Sequence, residues 1–124
     1  MKRDILFRGI NFQKEWVYGD LFHSYANDDI AIAYYREGSK TPTFDAIFPE
    51  SFGQYTGLTD KNGVKIFEGD IITIGDPNIK YITMWRSDGF CAKQIGASSY
   101  IGLTYWASHI EVLGNVIDNP ELIK

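Results

Sequence analysis

Only one cysteine, Cys91, and two histidines, His23 and His109, occur in the 124 residues. A single cysteine cannot close an internal disulfide, which suits a reducing compartment. Three such residues at these spacings do not make a zinc site. Cys91 sits between Phe90 and Ala92 in a strand-like run, where a free thiol behaves as a small buried hydrophobe rather than as the partner of a catalytic histidine. Basic residues come in ones and twos, as in Lys2-Arg3 or Lys61 and Lys65, and the net charge is −4. The clustered Lys and Arg that grip a phosphate backbone are missing, so nucleic acid is a disfavoured partner. No apolar run approaches the roughly 18 residues of a membrane span. At the N-terminus, Asp4 and Arg8 interrupt the apolar core that a signal peptide needs. Phosphate-binding loops, nucleophile elbows and His-Glu-x-x-His pairs are all absent. These gaps lead us to expect a soluble cytoplasmic protein with no membrane association, no metal, no cofactor and no catalytic residues.

What the chain does have is aromatic side chains and turns. Phe, Trp and Tyr make up 15% of it, alongside twelve glycines, a composition that favours strands over long helices. One domain spanning 1–124 is expected from the length. Residues 4–8 alternate, with Ile5 and Phe7 on one face, and 15–21 do the same with Trp16 and Tyr18, so the two form an N-terminal hairpin turning through 9–14. A loop follows at 24–29. Residues 30–35 are apolar throughout and read as a buried strand, 36–43 as a loop and 45–49 as a short extended piece. Asp60-Lys61-Asn62-Gly63 is a strong turn signal, because Asp bonds the backbone ahead of it and Asn-Gly accepts left-handed conformations. Strands are then expected over 64–67 and 71–74, separated by Glu68-Gly69-Asp70. Two more, 79–86 and 90–95, are joined through Ser87-Asp88-Gly89. Residues 109–116 form a last strand interrupted at Gly114-Asn115, and Asn119-Pro120 opens a single helical turn with Asn119 as its N-cap. The pattern is a mainly β domain with many short strands at barrel-like spacing.

The densest run of specific residues is Gln54-Tyr55-Thr56-Gly57-Leu58, then Asp60-Lys61-Asn62-Gly63, then Glu68-Gly69-Asp70-Ile71. This run resembles the central motif of the YopX family of phage and prophage proteins. Ile5-Leu6-Phe7-Arg8-Gly9 with Trp16-Val17-Tyr18-Gly19 is similar to that family's opening. Val112-Leu113-Gly114-Asn115-Val116 with Asn119-Pro120-Glu121-Leu122 is similar to its close. The resemblance implies a small, mostly β fold containing an SH3-like barrel, with additional N-terminal strands and a short C-terminal helical turn, and a bacterial host cell. It implies no catalytic residues. Segments 24–45 and 75–100 match nothing in the motif, and any specialisation would lie there.

Each conspicuous residue has a structural reading beside a functional one. Glu68 and Asp70 flank a glycine and could act as an acid/base pair or bind a cation, as in a hydrolase that also uses Asp60. Gly-Asp before an apolar strand more commonly forms a turn, with Asp bonding backbone N–H groups. The 60–68 loop fails as a calcium loop: with Gly63 at the invariant glycine, Leu58 takes the first ligand position and Gly69 replaces the bidentate Glu. Most aromatics fill a core that has few leucines. Tyr55, Trp85, Tyr105 and Trp106 form the candidate binding surface, with Trp106 foremost. The function expected is that of a phage or prophage accessory protein, a non-enzymatic binding module for a host or phage protein. The alternatives are a nucleic-acid-binding small barrel and, behind it, the hydrolase. Self-association is also expected, since a small β domain has strand edges to protect.

Overall fold

The structure, a computed structural model, describes residues 4–24 and 29–123. The chain divides into two compact units, Met1–Gln54 and Tyr55–Lys124. The first is an antiparallel meander of β1 (Phe7–Ile10), β2 (Trp16–His23), β3 (Ile30–Tyr34) and β4 (Thr43–Ala46). The first two residues of β5 (Gly53–Thr59) pair with β1, Gln54 opposite Phe7 and Gly53 opposite Arg8.

Strand β1 starts later than the alternation at 4–8 suggests and runs through Gly9 to Ile10. Gly9 therefore lies inside the strand instead of opening the turn. A Cβ there would collide with the Ile47 side chain, so glycine lets the buried Ile47 lie flat on the strand. In the apolar run at 30–35 only Ile32 is fully buried, because the flanking Ala31 and Ala33 lie on the opposite, partly open face. On that open face Phe22 meets Phe44 edge to face, with ring centroids 5.2 Å apart. The short extended piece expected at 45–49 is split between β4 and a 3-10 turn over Pro49–Ser51.

In the second unit the rest of β5 pairs with β6 (Lys65–Phe67). A five-stranded antiparallel sheet follows in the order β10-β9-β8-β7-β11: β7 (Asp70–Thr73), β8 (Tyr81–Arg86), β9 (Gly89–Gln94), β10 (Tyr100–Gly102) and β11 (Glu111–Asn115). Its core is Ile66, Ile72, Tyr81, Ala92, Leu103 and Ile110, with Phe90, Ile101 and Trp106 packed around it. The helical turn α1 (Leu103–Trp106) and a 3-10 turn over Ala107–His109 link β10 to β11. Thr, Tyr and Trp are indifferent helix formers, and it is the burial of Leu103 that holds α1 in place.

Both units are mainly β, as expected, and their strand pairs are antiparallel. Among the described residues the strands pair into two antiparallel sheets.

Candidate functional site

The signature segment is held by bonds within itself and to β8, β11 and the residues beside them. In β5 a bulge separates the pairs Tyr55–Phe67 and Thr59–Lys65, and Gly57 inside it takes a φ of +91° that other residues resist. The Thr56 hydroxyl spans the bulge, donating to the Ile66 carbonyl at 2.8 Å and accepting the Leu58 N–H at 3.2 Å. Tyr55 is buried, 7% exposed, and its ring packs on Phe67 at 5.5 Å.

Asp60 organises the turn. Its Oδ1 accepts the N–H groups of Asn62 at 2.8 Å and Val64 at 2.9 Å, and its Oδ2 accepts that of Val112 in β11 at 3.0 Å. Within the turn only Gly63 is left-handed, at φ +82°, and Asn62 is not. Lys61 N–H adds a bond to the Ile110 carbonyl at 2.9 Å. Burial pushes the Asp60 carboxyl upward. The three backbone donors and the charge of Lys61 outweigh that and hold it below the usual carboxylate range.

Glu68 and Asp70 do not lie on one extended face. Gly69, at φ +88°, turns the chain between them; its N–H donates to the Thr83 carbonyl and its own carbonyl accepts from Val116. Asp70 is 3% exposed, and its Oδ2 accepts the Phe67 N–H at 2.7 Å, closing the turn between β6 and β7.

The closing motif is bonded to the signature through Val112 and Val116 and also within itself. Asn115 Oδ1 accepts the N–H groups of Ile117 and Asp118, and its amide nitrogen donates to Asp118 Oδ2. Asn119 sits just before the 3-10 turn of Pro120–Ile123. Its side chain reaches back to accept the Asn115 N–H at 3.1 Å. That carboxamide lies where a Cβ on Gly114 would be, which explains the glycine.

The remaining aromatic candidates lie outside these networks. Trp85 is 51% exposed and stands edge-on to the half-buried Phe90, with centroids 4.9 Å apart. Tyr105 is 81% exposed and leans on Trp106, which packs against the core and meets the His109 ring. His109 Nδ1 also lies 3.2 Å from Ser108 Oγ.

Sequence reasoning did not single out Arg86. Its guanidinium lies 3.9 Å above the Tyr100 ring, at the edge of a concave notch of about 290 Å³ lined by Arg86, Ser87, Asp88, Gly89, Phe90 and Cys91. The two-residue turn there has Ser87 at φ +57°, a position where such hairpins prefer glycine. The one available signal was an arginine between Trp85 and a turn. Among the described residues, no group of three or more His, Cys, Asp and Glu side chains is placed to hold a metal ion.

A family model described as "YopX protein" matches residues 6–124, and the chain belongs to that family. No curated protein matches it. Among solved structures it is similar to protein EF1440 from Enterococcus faecalis, with a TM-score of 0.63 and 22% identity, covering 99% of this chain and 100% of that one. At that identity the likeness is one of fold.

Proposed function

We propose that this YopX-family chain is a non-enzymatic binding module: a phage or prophage accessory protein whose 124 residues act as one domain on a protein partner in the cytoplasm of a bacterial host. The observation that carries this reading is a division of labour in the second unit. Two of the three acidic groups of the signature are committed to backbone donors, Asp60 to three of them and Asp70 to Phe67. The large apolar groups offered to solvent, Trp85 and Tyr105, are braced by neighbours packed on the core. Rigid aromatics of this kind dominate protein interfaces because they bury much area at little entropic cost. The meander β7-β8-β9-β10, with β11 returning beside β7 after helical turns, supports an SH3-like barrel for this unit.

The test uses the whole chain as bait in bacterial lysate beside a Trp85→Ala/Tyr105→Ala variant. A partner retained by the first and lost from the second, with little change in melting temperature, is the expected result. The same proteins captured by both would overturn the assignment. Arg86 stacked on Tyr100 is the observation favouring nucleic acid as the alternative ligand. A gel shift with no complex at low salt removes that alternative.

A further inference from the structure

We propose that the notch at the β8–β9 turn receives a carboxylate of the protein partner, presented beside an apolar side chain, with Arg86 as its counter-ion; this rests on the protein-binding reading above. An arginine fork matches a carboxylate through two parallel N–H bonds, and less freedom is lost on binding when the fork is already held. Tyr100 holds it, with the guanidinium 3.9 Å from the ring centroid. Among the described residues no carboxylate stands within ion-pair distance of Arg86. The notch beside it offers about 290 Å³ walled by Phe90, Cys91 and the turn backbone, room for one apolar side chain.

The same wall carries Asp88, which sets the direction of approach. A phosphate backbone would bring a row of charges past this one cation, past Asp88 and onto a chain of net charge −4, whereas a single carboxylate need meet only the fork. Asp88 also gives the proposal two signs. Neutralising Arg86 weakens binding, and neutralising Asp88 strengthens it.

The tagged full-length chain is applied to an array of acetylated hexapeptides scanned through all residue types at each position. The expected outcome is selection of Asp or Glu next to Leu or Phe. Binding of the best peptide falls about tenfold or more in Arg86→Gln, as loss of a charge-assisted pair requires. It rises in Asp88→Asn, and preference turns to Lys and Arg in Arg86→Glu. Tyr100→Phe keeps the ring and keeps binding. Arg86, Asp88 and Tyr100 are all exposed, and thermal melts confirm that each variant is folded. Selection indifferent to acidic residues, or an unchanged affinity in Arg86→Gln, overturns the proposal. So does binding of a dT12 oligonucleotide that Arg86→Gln abolishes. If Trp85→Ala/Tyr105→Ala loses a lysate partner while Arg86→Gln keeps it, the carboxylate site falls and the protein-binding reading stands. If the wild-type chain retains neither peptide nor lysate partner, both fall.

Discussion

The turn at Asn11–Glu15 in the first unit and the turn at Asp60–Val64 in the second are the same device made from different residues. In each, a side-chain oxygen accepts the N–H groups two and four residues ahead: Gln13 and Glu15 for Asn11, Asn62 and Val64 for Asp60. In each, the first residue's N–H bonds the carbonyl of the fifth, and the fourth residue is left-handed, Lys14 at φ +69° and Gly63 at +82°. The difference lies in the second side-chain atom. Asn11 points its amide nitrogen at Asp45 Oδ2, 3.1 Å away, and there a donor is required. Asp60 points its second oxygen at the Val112 N–H, and there an acceptor is required. One atom, chosen by what lies opposite, decides between Asn and Asp.

Exchanging that atom breaks the comparison most severely. Asp60→Asn sets an N–H₂ group against the Val112 N–H or forfeits the turn bonds. A loss of about 2 kcal/mol is expected in urea unfolding, and about 3 kcal/mol in Asp60→Ala, which strands three donors. The pH dependence follows from the lowered pKa. The stabilisation from Asp60 is fully present above the usual carboxylate range and disappears as acid protonates the group, so the wild-type acid limb should flatten in Asp60→Asn.

The reverse exchange, Asn11→Asp, places a second carboxylate against Asp45 at a site only 3% exposed. A cost of about 2 kcal/mol at neutral pH is expected, shrinking in acid as the repulsion is titrated away. Gly114→Ala should cost roughly 1–3 kcal/mol by driving the Asn119 carboxamide off Asn115. If Asn119→Ala in the same chain does not recover part of that loss, the explanation for the glycine is wrong. The smallest effects belong to the left-handed position. Lys14→Gly should stabilise by about 0.5–1 kcal/mol, while Gly63→Ala should destabilise by a similar amount. Responses of the same sign at the two sites would mean the turns are not equivalent.

The two turns also show what a sequence exposes. Asp60-Lys61-Asn62-Gly63 was legible because Gly occupies the left-handed position and Asp the bonding one. In Asn11-Phe12-Gln13-Lys14-Glu15 a lysine fills the left-handed position, and only polarity marked the turn. Asp60 announced its bonds to Asn62 and Val64, which are local, and not its bond to Val112, which depends on the fold. Gly9 read as a turn residue because nothing nearby in sequence shows Ile47 lying on it. The helical turn α1 escaped notice because its residues lack helix propensity and burial of Leu103 fixes it. At the surface, Trp85 was visible as an aromatic at a strand end, and Arg86 beside it was not, since its significance comes from the ring of Tyr100.

Val112 lies 52 residues beyond Asp60 along the chain, and that separation imposes an order in time. Two of the carboxylate's three bonds can form as soon as the β5–β6 hairpin closes. The third waits for β11, after a loop whose closure costs about 3.5 kcal/mol of chain entropy plus a constant. The turn is then a hinge half-latched early and fully latched late. Replacing Asp60 should act on both rates, slowing folding through the two hairpin bonds and accelerating unfolding through the bond to Val112, and the Val112 amide should exchange with solvent water whenever β11 lets go.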